Sequence, residues 1–385
     1  MAAQVPRGLH LMQPASSRFH RAVTQSTVLA KLSTLDRFLP IWIFAAMGLG
    51  LALGRAWPGL GAALDAVQIA GVSVPIGFGL LWMMYPVLAK VKYETIGKYT
   101  SDKKLLGTSL VLNWVVGPIV MFALAWIFLA DLPEYRNGLI LIGLARCIAM
   151  VLIWNTLACG SNEIAAVLVA LNSVFQILTY SVLGYLFLVI IPGWMGAEQA
   201  VLDVSMLDIA TSVGIFLGIP LFAGWFTRRT LVKSRGNDWY ERVFLPRIGP
   251  TALFGLLYTI VLLFAMQGNR IIEAPWDVAR VALPMTIYFF IMFGLAFWLS
   301  RKLGFDYETT ASLSFTAAGN NFELAIAVAI GTFGIMSGEA LAAVVGPLIE
   351  VPVLVMLVYV SLWAQKRYFR TSGPSASSAP FFQDV

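Results

Sequence analysis

The chain has 385 residues, of which 59% are hydrophobic and 12% charged, and its mean hydropathy is +0.81. Soluble domains carry about 25% charged residues, so the composition excludes an ordinary soluble protein and predicts an integral membrane one. The net charge of +6 follows from where the bases lie along the chain and not from any affinity for nucleic acid. The two cysteines offer neither a disulfide framework nor the spacing of a zinc site.

Residues 1–37 are polar and basic, with Arg7, Arg18, Arg21, Lys31 and Arg37 against the single acid Asp36. An acid-poor start of this kind is shared by organelle transit peptides, but it reads more simply as a cytoplasmic N-terminal tail. Ten apolar runs follow, near residues 38–57, 74–91, 106–129, 138–158, 164–191, 209–226, 250–267, 279–299, 309–335 and 340–363. Their lengths suit membrane helices of about 20 residues rather than barrel strands, so the fold class is all-α and integral to the membrane. Gly50 and Gly54 in the first run have the spacing of a close-packing motif. Trp57, Trp126, Trp194 and Trp363 stand near run ends, as interfacial anchors do.

Of the 26 Lys and Arg residues, all but Arg55, Arg136, Arg146, Arg270 and Arg280 fall in alternate connections or in the two tails. The connection from Pro192 to Asp208 has acids and no base. By the positive-inside rule both termini are cytoplasmic, which requires an even number of spans. The second five spans then run inverted relative to the first. The sequence hints at the same repeat, because AAVLVALNSVFQ (165–176) lines up with AAVVGPLIEVPV (342–353), each following an acid, Glu163 or Glu339. The predicted organisation is an N-terminal tail (1–37), a first five-helix repeat (38–191), an external linker (192–208), a second repeat (209–363) and a disordered cytoplasmic tail (364–385). Inverted-repeat carriers place their site near the midplane on interrupted helices. Gly319-Asn320-Asn321 predicts such an interruption in span nine, and Gly346-Pro347 with Pro352 predicts one in span ten. A matching break in span four rests on symmetry alone.

Polar residues inside spans are costly and mark function. Arg146 and Cys147 sit together in span four. A cation beside a thiol favours the thiolate, which bonds soft metals and metalloids. The plainer reading is a structural cysteine beside an arginine satisfied by a carbonyl. Glu323 and Glu350 are the carboxylates deepest in spans, available to neutralise Arg146 or to carry protons. Asn113, Asn155, Asn172, Gln176, Asn320 and Asn321 either line a polar cavity or hold helices together. Cys159, at the loop end of span four, reads as incidental. The chain has no phosphate-binding glycine loop and no nucleophile elbow, and both histidines, His10 and His20, lie in the N-terminal tail. No cofactor and no enzyme chemistry are expected.

At these residues the chain resembles the ten-span arsenite permease family of arsenical-resistance systems, within the bile-acid/arsenite/riboflavin transporter superfamily. The resemblance covers roughly residues 33–370 and is strongest in GLARCIAMVLIWN (143–155), AAVLVALNSVFQ (165–176), AAGNNFELAIAVAI (317–330) and GPLIEVPVLV (346–355). It implies Cys147 as the ligand for As(III), Glu350 as the essential acid and Glu323 as a second one. It also implies export of arsenite driven by proton entry across the plasma or inner membrane, with antimonite as a second candidate substrate. The family often has an acid after Asn155, where this chain has Thr156. The expected transport residues are Cys147, Arg146, Glu350, Glu323, Asn320, Asn321, Asn155 and Asn172. The expected partners are arsenite, protons and the lipid bilayer, and the sequence calls for no soluble ATPase subunit though it leaves room for one. The competing readings are a sodium-coupled organic-anion symporter on the same fold and a membrane receptor or scaffold without transport.

Overall fold

The computed structural model describes residues 38–66, 68–69, 72–91, 102–148, 150–196, 205–273 and 275–369. The predicted tail at 1–37 lies outside the described residues, as do Lys92, Lys98, the middle of the linker between spans five and six and the part of the predicted 364–385 tail beyond 369; residues 364–368 continue the last helix instead of starting a disordered tail. In chain order the helices are α1 (Leu39–Ala56), α2 (Leu60–Asp65), α3 (Val74–Ala89), α4 (Lys103–Phe128), α5 (Pro133–Leu144), α6 (Met150–Leu157), α7 (Asn162–Trp194), α8 (Met206–Arg235), α9 (237–248), α10 (Thr251–Glu273), α11 (Pro275–Lys302), α12 (Tyr307–Ala318), α13 (Phe322–Phe333) and α14 (Gly338–Tyr368). The one sheet among the described residues is a two-residue antiparallel ladder pairing Gln68 with Ser73 and Ile69 with Val72. By length and composition α4, α7, α8, the stretch Asn237–Met266, α11 and α14 are able to cross a membrane, and α1, α3 and α13 contain shorter apolar helices.

Each predicted span finds a helix, and spans four and nine are each divided in two, into α5 with α6 and α12 with α13. The break in span four, which no residue announced beforehand, is therefore real. The interruption expected in span ten is absent, since α14 runs unbroken through Gly346, Pro347 and Pro352. A proline in a helix removes one hydrogen bond and crowds the carbonyl four residues back. Tertiary packing offsets that loss here, because α14 is the most buried of the six long apolar helices. It packs on α5, α11 and α13.

Other prolines are accommodated differently. Wide π-turns at Leu112–Val116, Leu186–Ile190, Gly214–Gly218 and Tyr240–Phe244 each end two residues before a proline, namely Pro118, Pro192, Pro220 and Pro246. Opening the turn gives the ring room and absorbs its missing donor without ending the helix.

The close-packing motif in α1 acts as read. A Cβ on Gly50 would lie 2.4 Å from the Val261 carbonyl oxygen, and one on Gly54 would lie 2.2 Å from that of Ala265, so backbone meets backbone between α1 and α10. The two halves also repeat at the level of caps. In each, a broken helix is followed by a long one that a serine caps, Ser161 accepting from the Ile164 N–H and Ser337 from the Ala340 N–H. Each serine has a glutamate two residues on, Glu163 or Glu339. The start of α7 meets the start of α12 through the Ser161 N–H, which donates to the Glu308 carbonyl at 3.2 Å. The start of α14 meets the start of α5 through the Gly338 N–H, which donates to Glu134 Oε2 at 2.9 Å.

Candidate functional site

The two breaks cross. Ala145–Cys147 and Gly319–Asn321 run antiparallel, with Arg146 paired to Asn320 as an isolated β-bridge. The Cys147 N–H donates to the Gly319 carbonyl at 3.3 Å, and the Asn321 N–H donates to the Ala145 carbonyl at 3.1 Å. Inside a membrane every backbone group must find a partner, and each unwound segment satisfies the other. Asn320 Nδ2 donates to the Ile142 and Ala145 carbonyls at 2.7 and 3.2 Å, closing the C-terminal end of α5. Asn321 Oδ1 accepts from the Leu324 N–H at 3.0 Å and caps α13. One amide thus ends a helix of the first half, and the next starts a helix of the second.

Extended neighbours point in opposite directions, and this separates Arg146 from Cys147. The Arg146 side chain, fully buried, goes to α4 and α11. Its Nη1 donates to the Tyr288 hydroxyl at 2.8 Å and lies 2.6 Å from where a Cβ on Gly117 would stand. Cys147 sits against Gly319, whose absent Cβ would come 2.9 Å from that of Cys147. Cys147 Sγ accepts from the Val151 N–H at 3.3 Å in the first turn of α6. A helix N-terminus thus faces the sulfur, in addition to whatever its neighbour in sequence contributes. The carboxylate expected to neutralise Arg146 is a phenol, and among the described residues no ion pair forms with this guanidinium. Glu350, buried, instead accepts from the Asn320 N–H at 3.4 Å. Glu323 stands in the first turn of α13, three residues after Asn320.

Gln176 and Tyr180 support the crossing from α7. Gln176 Oε1 accepts from the Arg146 N–H at 3.0 Å, and the Tyr180 hydroxyl donates to the Leu141 carbonyl at 2.8 Å. Asn172 lies one turn from Gln176 on the same face of α7. Asn155 does not join this group. It belongs to a separate knot where α6, α7 and α12 meet, its Nδ2 donating to Asn162 Oδ1 at 3.0 Å and its Oδ1 accepting from Ser312 at 2.9 Å. Cys159 is exposed at the same end.

Several buried polar atoms at and next to the crossing have no hydrogen-bond partner among the described residues. They are Arg146 Nε and Nη2, both side-chain atoms of Asn172, Gln176 Nε2, Asn320 Oδ1 and Asn321 Nδ2. Each such atom left dry costs about 1–3 kcal/mol. Together that rivals the ~5–15 kcal/mol by which a domain is stable. These atoms give the region hydrogen-bonding capacity that the described residues leave unused. Tyr288 and Gly117 are the parts the sequence did not single out, and Gln176, named there among the buried amides, was not among the expected transport residues. The available signal was Tyr288, an aromatic hydroxyl in the middle of a span and not at its interface.

Membrane-length helices packed around two crossed, broken ones, with a thiol, a guanidinium, amides and carboxyls at the break, form an architecture shared with inverted-repeat transporters. Comparison with known proteins agrees. Residues 77–274 match the sodium bile acid symporter family. The chain is 54% identical over 350 residues to the arsenical-resistance protein Acr3 of Corynebacterium glutamicum, covering 91% of this chain and 95% of that one. It is 33% identical to the Acr3 of Alkaliphilus metalliredigens, covering 85% and 92%. It is 36% identical to an uncharacterized transporter of Synechocystis sp., covering 85% and 88%. The chain belongs to the sodium bile acid symporter family, and the resemblance to arsenical-resistance proteins drawn from its motifs holds across nearly its whole length.

Proposed function

We propose that the protein exports arsenite in exchange for protons and so confers arsenic resistance. The observation that carries this reading is Cys147, held at the crossing of two broken helices beside buried polar groups with unused hydrogen-bonding capacity. Arsenite at neutral pH is an uncharged trihydroxide, and As(III) is soft and thiophilic. Three thiolates hold such a centre too tightly for release. One sulfur, with hydroxyl and amide neighbours for the hydroxyls, gives a bond that is selective and reversible. The N–H from the first turn of α6 stabilises electron density on the sulfur, as helix N-termini do. Antimonite shares this chemistry and is the expected second substrate.

The proton-coupled half of the cycle falls to Glu350, with Glu323 as a second acid. Glu350 holds the Asn320 backbone, and Asn320 bridges to Arg146. A change in the charge of Glu350 therefore reaches the segment that bears Cys147 through two hydrogen-bonded residues. The basic connections support cytoplasmic termini and two inverted repeats, 38–191 and 209–363, with 192–208 outside. Reporter fusions at both termini should read cytoplasmic and one near Gly196 external. An external C-terminus would rule this topology out. Nothing in this reading calls for a soluble ATPase, though it leaves room for one.

The deciding experiment is arsenite accumulation in everted membrane vesicles with and without an imposed pH gradient. Accumulation that follows the proton gradient and ignores sodium supports the reading. The family's description as sodium bile acid symporters supports a second one, sodium-coupled carriage of an organic anion, which demands sodium and is indifferent to Cys147.

A further inference from the structure

The end of α8 and the short helix α9 form a basic surface that plays no part in transport chemistry as derived above. Gly236, with φ +86°, turns the chain sharply between the two helices. Two contacts then pin α9 down. Arg228 donates through Nη1 and Nη2 to Glu241 Oε1, each at 3.2 Å, and the Tyr240 hydroxyl donates to the Ala89 carbonyl at the end of α3 at 2.8 Å. Arg228 also lies over the Tyr240 ring, 5.2 Å from its centroid. These contacts use up one base and one acid. Arg229, Lys233, Arg235, Arg242 and Arg247 remain exposed, with Asp238 the single exposed acid among them. None of these five bases has a carboxylate partner among the described residues.

Their level in the membrane is set by their neighbours. Phe222, Trp225 and Phe226 are exposed on α8 immediately before the bases, as side chains facing hydrocarbon are. At 1.5 Å per residue, Lys233 lies about 10 Å beyond Phe226, the depth of a headgroup layer. Trp239 and Phe244 stack at 6.1 Å on α9 and are half-buried, in the manner of aromatics at an interface. Arg229 covers Trp225 and Arg235 covers Trp239, at 5.4 and 4.5 Å from the ring centroids. Arg229 and Arg235 are thus held against aromatic rings, within a short strip of chain, 229–247, that carries all five bases.

We propose that this strip is a docking site for the headgroups of anionic phospholipids in the adjoining leaflet. Charge complementarity selects them, because five cations facing one acid are attracted to an anionic surface and gain little from a zwitterionic one of no net charge. The rigid attachment of α9 to α3 and α8 makes the site a fixed part of the protein and not a loose tail.

The test uses the purified full-length protein in detergent micelles and the anisotropy of fluorescent phosphatidylglycerol against fluorescent phosphatidylcholine. Wild type should bind the anionic lipid at least about tenfold more tightly, the preference falling as salt is raised. Inorganic phosphate at millimolar concentration should not compete. Arg235→Gln/Arg242→Gln/Arg247→Gln should lose the preference while keeping the wild-type melting temperature. The corresponding lysine triple should keep the preference, and Arg301→Gln/Lys302→Gln, at another helix end, should not alter it. Equal binding of the two lipids by wild type, or an undiminished preference in the glutamine triple, overturns the proposal. Should the glutamine triple not fold, the salt series on wild type decides, and a salt-independent preference refutes a charge-built site.

Discussion

Arg146 and Asn320, 174 positions apart in sequence, pair as a single antiparallel β-bridge where two broken helices cross. Through this pair the backbone beside Cys147 depends on the second half of the chain. Asn320 adds two side-chain bonds to the carbonyls of Ile142 and Ala145. Asn320→Ala removes both bonds but leaves each carbonyl a backbone donor, Ala145 N–H for Ile142 and Asn321 N–H for Ala145, so a stability loss of about 1–3 kcal/mol is expected. Arsenite flux should fall with it. Unaltered thermal unfolding in detergent would show that the crossing is held by backbone bonds alone.

Cys147→Ser should abolish arsenite export at equal expression, while Cys159→Ser should not. Serine keeps the size and the contact with Val151 but removes the soft ligand. Cys159 is exposed at the far end of α6, away from the crossing. Wild-type resistance in cells carrying Cys147→Ser would end the single-thiol mechanism.

Tyr288→Phe removes the hydroxyl that accepts from Arg146 and leaves a buried guanidinium with one acceptor fewer. A loss of about 1.5–3 kcal/mol is expected for a hydrogen bond to a charged group, and transport should drop about tenfold or more. Gly117→Ala should act in the same direction, since its methyl enters the space of Arg146 Nη1. Side-by-side melting and vesicle-flux measurements check both variants. Full activity in both would place Arg146 outside the transport cycle.

Gly346→Ala should damage folding more than chemistry. A Cβ there would stand 1.8 Å from the Phe322 ring, so α13 and α14 must separate, at a cost of about 1–3 kcal/mol or more. Phe322→Leu, placed in the same chain, should restore part of the lost melting temperature. If the double variant melts no higher than Gly346→Ala, the contact is not the cause.

Glu350→Gln fixes the side chain in a neutral form that still accepts from Asn320. Arsenite should bind but not accumulate against a gradient in everted vesicles, and Glu323→Gln should show a similar or milder defect. Wild-type accumulation by Glu350→Gln, with the same dependence on the pH gradient, would assign proton coupling to another group.

The sequence by itself determined the spans and the break in span nine. Apolar length and turn residues are local properties, and Gly319-Asn320-Asn321 carries its helix stop and its N-cap within three residues. It also exposed the thiol, the guanidinium and the deep carboxyls, because polar groups in apolar runs stand out against their surroundings. Only the tertiary structure decided the rest. The break in span four has no residue that demands it. It exists because Asn320 and the Asn321 N–H, from the other half of the chain, satisfy the carbonyls it exposes. Span ten carries two prolines and remains one helix, because neighbours bury it on most sides and a local propensity of a few kcal/mol yields to that packing. Asn155 and Asn172 read alike in sequence, yet one is consumed by Asn162 and Ser312 while the other keeps both polar atoms unspent. Which partner a buried amide meets is fixed by contacts between segments far apart in the chain, and no local pattern encodes them.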